Sequence, residues 1–350
     1  MKVAYDSRPM KDPRGVGRYA RCLLGALQHS GRGEIVETHQ PRRCEVFHAP
    51  WIRGAMLRCP VPMVVTVHDL ASLKRLGEYL RAGLRDRLRY LAVQRADRVI
   101  VPTQAVAADV VDVLEIPEKR IAVVGEAAAP ALRPRPEADV QAVRERHGLP
   151  ERYLLWVGSL QTADPRKRVA ALVRTRRNLP LVLVGPTGPW AHELPDVTLT
   201  GIVSDDELAA IYTGAHALVF PSNDEGFGLP PVEALACGTP VVACDVPALR
   251  EVLDGHAVLC PVDDLDHLVA AAESARRPAP PPPLWTWENA ADATWEVYAQ
   301  AARDPGGRRK PSGPRVPART RTGPAERART PTRRRLNGEE FPPGASRAHR

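Results

Sequence analysis

Short, predominantly apolar runs recur along the chain, at 2–5, 45–49, 63–67, 98–101 and 120–124 in the first half and at 153–157, 181–184, 197–200, 217–221 and 240–244 in the second. Most are rich in β-branched residues and, apart from 197–200, do not alternate with polar ones, the pattern of strands buried on both faces. The stretches between them carry helical spacing, as in the stripe Tyr19, Leu23, Leu24 and Leu27. Strands alternating with such helices predict parallel sheets covered on both sides, an α/β protein. The pattern is weak between Ser30 and Arg43, so a reduced N-terminal half is expected. Prolines break residues 127–136, which read as a crossover between a first domain at 1–130 and a second at 131–283. The segment 284–302 reads as a closing helix with Trp295 and Tyr298 on one face. Leu80, Leu84, Leu88 and Leu91 also fall at helical spacing, among Arg81, Arg85, Arg87 and Arg89. That segment reads either as a core-facing helix with a solvated basic side or as a surface leaning on acidic lipid.

Composition changes this picture mainly at the C-terminus. The 350 residues carry a net charge of +8, but 303–350 alone hold fourteen Lys/Arg against four Asp/Glu. The basic balance therefore belongs to a Pro/Arg-rich tail with almost no large apolar residues, expected to be disordered, and it does not argue for nucleic-acid binding by the body. Six cysteines without metal-type spacing predict reduced thiols, and Asp264 and Asp266 read as a helix cap, so no metal and no cofactor are expected. No signal pattern opens the chain and no apolar run is long enough to cross a membrane. A cytoplasmic enzyme, at most peripheral at the inner face of the membrane, is the expectation.

The richest chemistry lies in residues 223–245, NDEGFGLPPVEALACGTPVVACD. A buried strand exits into Gly226, Phe227 and Gly228, and Pro230 and Pro231 suit the first helical positions. A helix start behind a glycine loop offers backbone N–H groups and a positive dipole end to phosphate. Glu225 and Glu233 flank that seat and suit hydroxyls better than phosphate, which points to a ligand carrying both, a nucleotide sugar. Gly15, Gly17 and Ala20 also satisfy a dinucleotide fingerprint, so an NAD(P)-dependent oxidoreductase has to be weighed; against it, residues 6–14 separate those glycines from their strand.

The 223–245 segment resembles the hallmark of the retaining glycosyltransferases of family 4, which have the GT-B fold of two Rossmann-like domains facing across a cleft. The resemblance implies transfer of a hexose, with mannose as the working example, from a nucleoside-diphosphate sugar to a hydroxyl of a glycan or lipid-linked acceptor. It implies that Glu225 contacts the donor sugar, that Gly226, Phe227, Gly228 and Leu229 face sugar and diphosphate, and that Glu233 holds ribose. The loop holding Gly15 and Gly17 would lie over the phosphates, with Arg14 or Arg18 available to an anion. Gly158 at a strand exit precedes a loop whose Arg166 and Lys167 match diphosphate-binding cations, although the loop is longer than usual and which of them reaches phosphate stays open. Val203 would border the nucleobase. His68, at the carboxyl edge of a strand, matches a histidine near the reacting sugar and the acceptor, with Asp69 orienting it or capping the next helix. A non-catalytic nucleotide-sugar-binding protein remains the alternative within the same site.

Overall fold

A computed structural model of the chain describes residues 1–13, 15–74 and 84–304. Arg14, the 75–83 part of the leucine stripe and the basic tail from 305 lie outside the described residues. Among the described residues, twelve strands form two parallel sheets of six within one compact unit. The first has the order β2 (Glu34–Glu37), β1 (Lys2–Tyr5), β3 (Val46–Ala49), β4 (Met63–Thr66), β5 (Arg98–Val101) and β6 (Ile121–Val123). The second runs β12 (Val258–Cys260), β11 (Val241–Cys244), β10 (Ala217–Phe220), β7 (Leu154–Val157), β8 (Leu181–Val184) and β9 (Val197–Gly201).

Each run of apolar residues becomes a strand because helices cover both faces of the sheets. In β1, Val3 and Tyr5 pack under the Gly15–His29 and Trp287–Arg303 helices, whereas Ala4 joins Phe47, Val65 and Val99 on the opposite face. The N-terminal half is not reduced. The weak stretch after Ser30 contains β2, an edge strand whose residues are only half-buried or exposed, and the first sheet has as many strands as the second. Of the leucine stripe's described side chains, Leu88 is 38% exposed and Leu91 half-buried, while Tyr90, Ala92 and Val93 bury their side of the Leu84–Gln94 helix.

The Trp287–Arg303 helix returns to the first lobe. Thr286 caps it by accepting from Asn289 N. Trp287 Nε1 donates to Ala128 O at 3.0 Å, Trp295 Nε1 to Ser30 Oγ at 2.8 Å, and Tyr298 OH lies 2.7 Å from His48 Nδ1. His48 in turn meets Thr66 Oγ1 through Nε2 at 2.9 Å, and Thr66 meets Tyr19 OH at 3.1 Å. These buried polar groups satisfy one another, which makes the network specify where the closing helix docks.

In the second sheet the strand order reverses between β7 and β10, which pair directly. Open α/β sheets bind ligands in the crevice beyond the carboxyl ends of strands at such a switch point. Those two strand exits here are the loops beginning at Gly158 and Pro221.

Candidate active site

Beyond β10, Gly226 and Gly228 each perform a task no other residue could. A Cβ on Gly226 would stand 1.8 Å from the carbonyl oxygen of His68 in the opposite lobe. Gly228 has φ +93°, and a Cβ there would meet the Leu249 side chain at 2.5 Å. The Leu229–Ala236 helix follows with prolines at its second and third positions. Pro230 and Pro231 lack N–H groups, so the donors this helix start can offer an anion come from Gly226 to Leu229. Phe227 is buried and turns its ring into the core against Trp285, 5.3 Å between centroids.

This loop closes one side of a cavity of about 460 Å³ between the two lobes. Of the sequence-predicted residues, Gly15, His68, Gly158, Lys167, Val203, Glu225, Gly226, Phe227, Gly228, Leu229 and Glu233 line it together. Gly17 does not. It lies inside the Gly15–His29 helix, where a Cβ would overlap Asp12 O at 1.9 Å, so its task is to let that helix press against the preceding turn. The same placement removes the dinucleotide reading, because the G-x-G-x-x-A residues are helical and do not form the turn after β1.

The two adjacent cations separate. Lys167 lines the cavity, its Nζ 5.9 Å from the Trp156 ring centroid. Arg166 is not among the lining residues: its Nη2 pairs with Asp164 Oδ2 at 2.9 Å and its Nη1 lies 3.6 Å from Asp69 Oδ2. Asp69 also accepts from Ala71 N at 3.2 Å, so it caps the Ala71–Lys74 turn and faces Arg166, and does not orient His68.

The glutamates differ in their surroundings. Burial pushes the Glu225 carboxyl above the usual range, opposed by the charges of Lys167 and Arg166 and by Ser222. Burial likewise raises Glu233, which is 3% exposed. Glu233 Oε2 accepts from Tyr212 OH at 3.1 Å, and Oε1 lies 3.3 Å from Arg18 Nε, a partner from the other lobe. Arg18 Nη2 also reaches Asp205 Oδ1 at 2.7 Å. The helix beginning at Asp205 is capped by Ser204, which accepts from Glu207 N while Glu207 reaches back, so Asp205 is available to Arg18.

Sequence reasoning missed Glu126 as a cavity residue and the partnership of Arg18 with Glu233. It also missed two contacts that cross the cleft. Thr103 Oγ1 donates to Gly226 O at 2.9 Å. Glu251 accepts from Gln104 N at 2.8 Å and Ala105 N at 3.2 Å, at the start of the Gln104–Leu114 helix. An acid just past β6 was a readable signal for Glu126; nothing local announces Glu251. Among the described residues no three His, Cys, Asp or Glu side chains are placed to hold a metal ion, and Asp264 caps a helix by accepting from His267 N. No described helix is long and apolar enough to cross a membrane.

Residues 6–130 match the Glycosyltransferase Family 4 model, and 151–276 match the model described as Glycosyl transferases group 1. The chain is 31% identical over 316 residues to the D-inositol 3-phosphate glycosyltransferase of Thermobispora bispora, covering 75% of this chain and 72% of the relative. The chain belongs to the group 1 glycosyltransferases of family 4. A second relative, the D-inositol 3-phosphate glycosyltransferase of Mycobacterium tuberculosis, is 32% identical over 319 residues, and the chain spans only 64% of its length. The solved structure of Anabaena Alr3699/HepE in complex with UDP and glucose superposes with a TM-score of 0.61 at 16% identity, covering 87% of this chain and 95% of that one. The two six-stranded lobes of this family 4 glycosyltransferase thus have the GT-B architecture.

Proposed function

We propose that this family 4 glycosyltransferase moves a hexose from a nucleoside-diphosphate sugar to an acceptor hydroxyl with retention at the anomeric carbon. The observation that carries the reading is the convergence, in one interlobe cavity, of glycine-loop amides, the Lys167 ammonium and the Glu225 and Glu233 carboxylates. In this reading the diphosphate lies between the amides of Gly226 to Leu229 and Lys167, where a fixed cation and aligned N–H groups stabilise the charge that grows on the departing nucleotide. Arg166 contributes through its field and by holding Asp69, not by direct contact. Glu225 accepts from sugar hydroxyls. Glu233 accepts from ribose hydroxyls in place of Arg18. His68 stands on the acceptor side. Attack from the same face as departure lets the leaving phosphate take the acceptor proton, and lobe closure keeps water from competing for the donor.

The similarity to Anabaena Alr3699/HepE in complex with UDP and glucose and to D-inositol 3-phosphate glycosyltransferases makes UDP-sugars and inositol 3-phosphate the first donor and acceptor to try. The test is a thermal-shift panel of UDP-, GDP-, ADP- and dTDP-sugars, followed by release of nucleoside diphosphate with polyol phosphates and glycans as acceptors. Stabilisation by one diphosphate series and acceptor-dependent release support transfer. Donor binding without release with any acceptor would favour a binding protein, and no stabilisation by any nucleotide sugar would overturn the reading.

A further inference from the structure

His68 has no unbonded ring nitrogen. Its Nε2 lies 3.0 Å from Pro50 O, a carbonyl that only accepts, so Nε2 carries a hydrogen. Its Nδ1 lies 3.1 Å from Oε1 of Glu126, a carboxylate 3% exposed on the crossover between the lobes. Both contacts are satisfied together when the ring carries two hydrogens and faces an ionised Glu126, a charge-assisted pair built into the cavity wall. Glu126 and His68 both line the donor cavity.

We propose that Glu126 is a positioning residue of the transferase, holding His68 as an imidazolium whose fixed charge, and not proton transfer, serves the reaction. This rests on the nucleotide-sugar reading above, since a fixed cation on the acceptor side of that cavity acts at a distance on the negative charge that grows on the departing diphosphate. The other titratable groups around His68 are Asp69 on its own loop, with Arg166 3.6 Å beyond it, Tyr19 edge-on at 4.5 Å between ring centroids, and His48, which burial keeps neutral. Burial alone would lower the His68 pKa, but the hydrogen bond and charge of Glu126, with the Pro50 carbonyl and Asp69, carry it above the ordinary value.

The experiment combines NMR titration of His68 in full-length protein labelled at histidine, assigned with His68→Asn, and the pH profile of nucleoside-diphosphate release. Wild-type His68 is expected to titrate above the ordinary imidazole midpoint; a midpoint at or below it overturns the proposal. Glu126→Gln keeps an acceptor for Nδ1 without the charge. It is expected to lower the midpoint by about one pH unit or more and to cut release about tenfold near pH 7.5, with acid restoring the variant toward wild type near pH 5.5. A merely structural role would give no such acid rescue. An unchanged midpoint in Glu126→Gln, or a lowered midpoint with an unchanged rate profile, overturns the proposal. If Glu126→Gln does not fold, Glu126→Asp, which keeps the charge, together with the wild-type midpoint decides it. Failure of the wild type to turn over any nucleotide sugar counts against the proposed function, whereas the His68 midpoint still reports on the pair.

Discussion

Replacing His48 with Gln tests the network that docks the closing helix. His48 is fully buried between Tyr298 and Thr66, and desolvation pushes its pKa down from 6.5 to about 3. The folded protein therefore binds fewer protons at this site than the unfolded chain whenever the pH is below the unfolded value. His48 favours folding in full above about pH 6.5, and that contribution is lost progressively as the pH falls toward the folded pKa. With a folded pKa of about 3 against about 6.5 unfolded, the loss between pH 7 and pH 5 is about 2 kcal/mol. A Gln side chain keeps an amide among the same hydroxyls but does not titrate. Urea unfolding followed by tryptophan fluorescence, which reports on Trp287 and Trp295 in the docked helix, should show wild-type stability falling by about 2 kcal/mol more than that of His48→Gln over this interval. Equal losses in both proteins would refute the buried neutral imidazole, because every other titrating group is common to the pair.

Arg18→Ala leaves Glu233 buried beside Tyr212 alone and should destabilise the protein by about 3 kcal/mol in denaturant unfolding, with a loss under 1 kcal/mol arguing against the pair. The same variant should gain more stabilisation than wild type from a bound nucleoside diphosphate, since Glu233 is then open to ribose. Glu251→Ala removes two hydrogen bonds to the start of the Gln104–Leu114 helix, costs about 1 kcal/mol and should raise the radius of gyration measured by small-angle scattering; an unchanged radius would mean Glu251 does not hold the lobes closed. Gly226→Ala places a methyl group against the His68 carbonyl, which is backbone and cannot swing aside. It should abolish nucleoside-diphosphate release while leaving circular dichroism unchanged, and full activity would contradict the close approach.

Much of this fold is written in its buried runs. Residues 217–220, 181–184 and 63–66 must be apolar on both faces because helices cover both, so they stand out along the chain. The edge strands β2 and β12 meet no such demand, carry exposed residues, and leave little trace. The glycine loop was legible because its turn and close approach need glycine at Gly226 and Gly228. Gly17 misled for the same reason: a glycine needed for packing looks identical in sequence to one needed for a ligand. What no local pattern could reveal is pairing across the cleft. Arg18 finds Glu233, Asp69 finds Arg166, and the helix start at Gln104 finds Glu251 only after both lobes have formed and closed.

In the proposed transferase, the interlobe cavity brings Lys167 to the diphosphate of a donor. Isothermal titration calorimetry of a nucleoside diphosphate into wild type and Lys167→Ala tests it most directly. Loss of a charged hydrogen bond worth about 1.5–3 kcal/mol predicts affinity weaker by about tenfold to a hundredfold, with thermal stability of the free protein unchanged. Equal affinities in the two proteins would place the nucleotide elsewhere and contradict the account.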